Sequence, residues 1–263
     1  LHHNGPHGHY CIPLLHGQLV LGVVDIHLEA GYALKARDEE YLLAVCNAVA
    51  TVLARRDAQK QLKDAAAKLR QTLGGVIEVI CIAGERRDPY SAGHQKRVSD
   101  LSRTIASKMG LSAAEVDGIR VAGVVHDIGK LSVPVELLNR TKALATPEMD
   151  LVRTHATAGY EIISPIEFPW PIADMVHQHH ERIDGSGYPE GLKGDEIILG
   201  AKVLAVADVV EAMSSHRPYR GALGTPAALD EISKNRGKLY DERVVAACLA
   251  IFAEDGYKLP SAH

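Results

Sequence analysis

The chain has 263 residues, 46% hydrophobic and 24% charged, the balance of a globular protein with a substantial core. A formal net charge of −4 gives no electrostatic case for a long nucleic-acid partner, so an anionic ligand would need a local cluster of Lys and Arg. No apolar run reaches the roughly 20 residues needed to cross a bilayer, so no membrane segment is expected in this chain.

The sequence starts at Leu1 with no signal-peptide pattern and reads as a fragment beginning inside a folded unit. Cys11, Cys46, Cys81 and Cys248 form no CxxC pair and read as buried small hydrophobes of a reducing compartment, here the cytoplasm. Six of the 14 histidines (His2, His3, His7, His9, His16, His27) fall in the first 27 residues without ordered spacing and read as solvated or partly buried.

Residues 10–15 and 18–28 are strand-like, with a turn expected at His16-Gly17. Val20, Gly22, Val24 and Ile26 alternate with Leu21, Val23, Asp25 and His27, which predicts one well-buried face and one mixed face. Asp38 then opens a helix with Glu39 and Glu40 in its first turn, where carboxylates suit the helix dipole, and Leu42, Val45, Val49 and Val52 continue it. Two strands and a long helix over residues 1–54 resemble the C-terminal part of a GAF sensory domain, a partial α/β segment.

Residues 55–84 are charged and alanine-rich. Leu62, Ala66, Leu69, Leu73, Val76 and Ile80 step by fours and threes, a heptad seam interrupted by Gly74-Gly75. It predicts a linker helix and a homodimer formed through it. Beyond Gly84 the pattern is helical throughout, so residues 85–263 are expected to be all-α. Ser112 with Glu115 reads as a capping box, and Thr146-Pro147 and Thr225-Pro226 as N-caps before a first-turn proline.

His126-Asp127 ends the apolar run Ile119-Arg120-Val121-Ala122-Gly123-Val124-Val125, delivering an imidazole and a carboxylate from a buried helix. A buried carboxylate is costly unless it is paired or binds a metal. His94, His155, His179-His180 and Asp208 stand on other helical segments, and Asp208 lies in an equally apolar run. Such residues can converge only in a bundle core. A nitrogen- and oxygen-rich set without cysteine argues against structural zinc and suits iron, manganese or a similar ion. His177, two residues before His179, points elsewhere on its helix. Trp170 is expected to pack the entry to the helix that follows it.

His126-Asp127-Ile128-Gly129-Lys130 and His179-His180-Glu181-Arg182-Ile183-Asp184-Gly185-Ser186-Gly187-Tyr188-Pro189 resemble the two defining motifs of the HD-GYP family, and Ser215-His216-Arg217-Pro218-Tyr219-Arg220 resembles its basic segment. The resemblance runs from about Arg87 to Tyr257. It implies an HD-type helical bundle with His94, His126, Asp127, His155, His179, His180 and Asp208 as metal ligands. Asp127 would bridge, with His94, His126 and Asp208 on one ion and His155, His179 and His180 on the other. Some members carry Glu at the position of Tyr90 and hold a third metal; Tyr90 favours two.

The resemblance further implies hydrolysis of a cyclic dinucleotide, cyclic di-GMP first, to the linear pGpG and after a second cut GMP. A pair of divalent ions, iron or manganese ahead of zinc, nickel or magnesium, would lower the pKa of the attacking water. Asp127 and Lys130 are the expected catalytic residues, and Lys130, Arg217 and Arg220 the expected substrate contacts. Asp184, Gly187, Tyr188 and Pro189 would shape the site or meet a partner such as a diguanylate cyclase (GGDEF) domain, with Asp184 holding the loop. The alternatives are the same chemistry on cyclic GMP-AMP, or a catalytically silent domain that binds cyclic di-GMP or docks a partner. The adjacent His pair and the glycine-rich loop argue against the dNTP and (p)ppGpp hydrolases of the wider HD superfamily.

Overall fold

The computed structural model of the chain describes residues 7–29, 31–32, 35–85, 93–140, 142–215 and 222–260. It is mainly helical and divides into two compact units, Leu1–Gly74 and Gly75–His263.

In the first unit β1 (His7–His16) and β2 (Leu19–Glu29) pair antiparallel, with a register shift between Leu14 and Leu15. The turn is Gly17-Gln18, one residue later than expected, because Gly17 supplies the left-handed φ of 62° that the reversal needs. Ile12 and Leu14 of β1 bury against Cys46 and Ala50 of the long helix α1 (Ala36–Glu85). The expected well-buried face of β2 is only half buried, since a single helix covers a two-stranded sheet incompletely. Cys11 departs from expectation too: strand alternation turns it away from α1, and it is exposed, whereas Cys46 and Cys248 are buried.

The helix α1 starts at Ala36, before Asp38, and runs without a break through Gly74-Gly75. Two glycines cost about 2 kcal/mol relative to alanine, which the strong formers on either side absorb. Leu62, Leu69, Val76 and Ile80 of the heptad seam are exposed; the side chain of Leu73 lies outside the described set.

The second unit packs α2 (His94–Lys108), α3 (Ala113–Val125), α4 (Val135–Leu138), α5 (Thr146–Arg153), α6 (His155–Ile163), α7 (Ile172–Gln178), α8 (Leu199–Ser214), α9 (Thr225–Lys234) and α10 (Glu242–Ala253). Its core is built by Leu101 and Ile105 of α2, Ile119 and Ala122 of α3, Val203, Leu204 and Val206 of α8, and Val244 and Ile251 of α10, all essentially inaccessible. The α8 sequence is apolar on nearly every face because it is central.

Ser112 and Glu115 make the reciprocal capping box. At α5 and α9, however, the caps are Ala145 and Gly224, one residue before the threonines. The Glu148 carboxylate accepts the Ala145 N–H at 2.9 Å, which moves the start of α5 and leaves Thr146 inside the first turn. Trp170 packs on α3, where a Cβ at Gly118 would lie 2.6 Å from its ring.

Candidate metal centre

Five of the seven candidate ligands sit at a helix end or in the middle of a buried helix, and Asp127 and His180 follow in the turns after α3 and α7. His94 opens α2 after Gly93, His126 closes α3, His155 opens α6, His179 closes α7, and Asp208 projects from the middle of α8. The approach of α6 to the His126-Asp127 turn depends on Gly129. A Cβ there would stand 1.9 Å from the His155 carbonyl oxygen and 2.5 Å from the Gly159 nitrogen.

His126, His155 and His179 share one local device. Each ring places Nδ1 against the backbone carbonyl three residues earlier, at 2.8 Å (Gly123), 2.7 Å (Val152) and 2.6 Å (Val176). A carbonyl oxygen can only accept, so Nδ1 carries the proton and Nε2 turns a lone pair inward. His94 does the same with a carboxylate: its Nδ1 bonds to Glu211, whose other oxygen accepts from Arg97 Nε at 2.7 Å.

The inward atoms face one another at close range. His155 Nε2 and His179 Nε2 are 3.4 Å apart with both Nδ1 protons already committed. His94 Nε2 lies 3.2 Å from Asp208 Oδ1 and 3.6 Å from Asp127 Oδ2. His126 Nε2, 3.5 Å from Asp127 Oδ2, is buried without a hydrogen-bond partner. Opposed lone pairs repel, and a buried orphan nitrogen costs about 1–3 kcal/mol. Two ligand atoms each about 2.1 Å from one cation would lie roughly 3.0–3.5 Å apart, so the donor set fits divalent ions.

The ligand atoms of His94, His126 and Asp208 lie within 4.8 Å of one another, as do those of His155, His179 and His180, and those of His126, Asp127 and His179. The Asp127 oxygens divide between the first two clusters: Oδ2 faces His94 and His126, and Oδ1 faces His155 Nε2 at 3.5 Å. His180 stacks on Tyr188 with centroids 4.7 Å apart, and the Arg153 guanidinium stands over the ring of that tyrosine, 5.4 Å from its centroid.

Burial acts against charge throughout. It pushes the Asp127 carboxyl up, but Lys130 Nζ at 2.6 Å and the surrounding imidazoles outweigh it and hold the group well below the usual carboxylate range. Asp208 is held low in the same way, chiefly by His94. Burial and neighbouring imidazoles depress His155, His179 (to about 3) and His180, keeping these rings neutral as metal ligands must be.

Two carboxylates were not singled out in the sequence. Glu211 is fully buried and ties His94, Arg97 and the Ser215 hydroxyl together. Its signal was available: it lies three residues after Asp208 in the same apolar helix, where an unpaired carboxylate is as untenable. Glu181 accepts the N–H groups of Glu190, Gly191 and Leu192, fixing the loop after the His pair. Nothing in local spacing announces that role.

Within this loop Asp184 Oδ1 accepts from Ser186 N and Oγ. Gly185 takes a φ of 85°, whereas Gly187 is needed for space, since a Cβ would lie 2.4 Å from Glu181 Cα. Pro189 follows Tyr188 through a cis peptide bond. His177 stacks on Tyr160 at 4.9 Å, away from the centre. Tyr90, His216, Arg217 and Arg220 lie outside the described residues.

A helical bundle with a His-Asp pair at its centre is what the HD domain family is built on, and that family matches residues 82–244. The chain belongs to the HD domain family. It is similar to a cyclic di-GMP phosphodiesterase of Thermotoga maritima, 39% identical over 181 residues, covering 68% of this chain and 49% of that protein. A 3'3'-cGAMP-specific phosphodiesterase 3 of Vibrio cholerae is 36% identical over 163 residues, covering 62% of this chain and 35% of that protein. The chain thus spans half or less of the length of these relatives. Among solved structures, Bd1817, an HDG"Y"P protein from Bdellovibrio bacteriovorus, shares the fold with a TM-score of 0.51 at 19% identity, covering 60% of this chain and 51% of that one.

Proposed function

We propose that the helical unit is an HD-GYP domain that hydrolyses a phosphodiester bond of a cyclic dinucleotide, cyclic di-GMP in the first place, at a centre of two divalent ions. The observation that carries the reading is the facing pair of lone pairs at His155 and His179, with orphaned His126 Nε2 beside them. The names of the two relatives support the substrate class, and the second of them keeps cyclic GMP-AMP as the other substrate.

In this reading His94, His126 and Asp208 would hold one ion and His155, His179 and His180 the other, with Asp127 shared between them. Iron or manganese suits this donor set ahead of zinc, nickel or magnesium. When bound, the ions supply Lewis acidity toward a phosphoryl oxygen and acidify water. The backbone carbonyls and Glu211 fix the imidazole tautomers. Lys130, paired with Asp127 before substrate arrives, turns its ammonium to a phosphate oxygen, and Arg217 and Arg220 take the second phosphate. Tyr188 and the Glu181-anchored loop wall the site beside His180, with the same loop meeting a diguanylate cyclase (GGDEF) partner. Residues 1–54 form the end of a GAF-like domain, 55–84 a linker helix that dimerises the chain in the cytoplasm, and 85–263 the enzyme.

The test is incubation of manganese- or iron-loaded protein with cyclic di-GMP and with cyclic GMP-AMP, followed by separation of the products. Linear dinucleotide is expected from the wild type and none from Asp127→Ala. Hydrolysis undiminished in Asp127→Ala would remove the mechanism. Full metal occupancy with no hydrolysis of either substrate would leave a binding domain instead.

A further inference from the structure

The β-hairpin of the first unit carries a second constellation. His9 and His27 are direct cross-strand partners, and so are Cys11 and Asp25. Strand alternation puts all four on one face, opposite the Ile12 and Leu14 side chains that bury against α1. They form a two-by-two square of nitrogen, nitrogen, sulfur and oxygen donors.

Three of these groups converge on one carboxylate. His9 Nδ1 lies 3.2 Å from both oxygens of Asp25, His27 Nε2 3.5 Å from Oδ2, and Cys11 Sγ 3.5 Å from Oδ1. The two rings meet edge to face with centroids 4.4 Å apart. The ligand atoms of His9, Asp25 and His27 lie within 4.8 Å of one another. A simple His–Asp hydrogen bond would require neither the second imidazole nor the thiol at the same oxygens.

The spacing of His9, Asp25 and His27 fits ligands of one ion, and Cys11 Sγ stands beside Asp25 as a fourth donor. Ligands at about 2.1 Å from a tetrahedral ion are separated by roughly 3.4 Å, and a sulfur at about 2.3 Å from it by roughly 3.6 Å from its oxygen neighbour. The observed 3.2 to 3.5 Å from the Asp25 oxygens to its three neighbours are separations of that size. The exposure of the cluster, with side chains of His9 and Asp25 near 45% accessible, gives an ion direct entry.

We propose that His9, Cys11, Asp25 and His27 form a surface site for a borderline-soft divalent cation of the zinc class. Mixed nitrogen, oxygen and thiolate ligation selects zinc, cobalt or copper over magnesium and calcium. The thiol proton leaves to solvent on binding, and the ion clamps β1 to β2 at the two cross-strand pairs. The assignment is independent of the chemistry in the helical unit.

The test uses the whole chain and the metals themselves. Equilibrium dialysis with zinc is expected to give one more bound ion for the wild type than for Asp25→Asn or His27→Ala. These exposed positions leave the core intact, and unchanged far-ultraviolet dichroism checks it. Cobalt loading is expected to produce a near-ultraviolet thiolate-to-metal band that persists in Asp127→Ala and is lost in Cys11→Ser. Equal zinc stoichiometry in wild type and Asp25→Asn, or no thiolate band in the wild type, would overturn the site.

Discussion

The chemistry of the centre is decided at single ring nitrogens. Four imidazoles have their outer nitrogen committed to an acceptor, which turns their inner nitrogen toward the centre, and that of His126 has no hydrogen-bond partner. Glu211→Gln tests the outer half of this device at His94. The substitution leaves Arg97 and His94 with weaker acceptors, and a stability loss of about 1–3 kcal/mol is expected in denaturant titration of metal-free protein. Because burial is overcome by the His94 and Arg97 contacts, the Glu211 carboxyl is held down to about 2 from an ordinary 4.5. A depressed acid stabilises the fold above its unfolded pKa and loses that contribution as pH falls through the folded one. The variant should therefore show a shallower stability loss between about pH 4.5 and 2.

His179 sets the neighbouring window. With its pKa lowered from 6.5 to about 3, it binds more protons unfolded than folded between these values, so metal-free protein should weaken as pH falls below 6.5. Melting curves from pH 7 to pH 4 check the sign, and a flat profile would contradict it. Lys130 makes a different kind of contribution. Losing a charge-assisted bond to phosphate costs about 1.5–3 kcal/mol, so Lys130→Ala should lower kcat/KM roughly 10- to 100-fold, with part restored by Lys130→Arg.

At the scale of elements, the centre depends on how closely backbones approach. Gly129 lets the turn after Asp127 rest on the first turn of α6, and any side chain there drives into the His155 carbonyl. Gly129→Ala is expected to destabilise the helical unit by about 3 kcal/mol and to reduce metal binding, both read by melting with and without manganese. The sequence carried this level unevenly. Apolar periodicity and capping chemistry are local, so the all-α character of the second unit, the hairpin and the capping box at Ser112 were legible. The one-residue shifts at Ala145 and Gly224 were not, because side-chain competition for the same N–H groups decides them. Long-range pairings were also hidden: Glu181 meets N–H groups nine to eleven residues away, and His9 meets His27 only through strand register. Glu211 was within reach of the burial argument applied to Asp208.

For the whole molecule, the HD domain family and the convergence of seven residues from five helical segments make one coherent account. The exposed seam of Leu62, Leu69, Val76 and Ile80 supports the proposed dimer, and Leu62→Glu with Leu69→Glu should convert it to monomer in sedimentation velocity. The most direct measurement of the central claim is anomalous diffraction at the manganese edge from crystals of manganese-loaded protein. Two peaks are expected on either side of the Asp127 carboxylate, one among His94, His126 and Asp208, the other among His155, His179 and His180. A single peak, or none with Asp127 held by Lys130 alone, would contradict it.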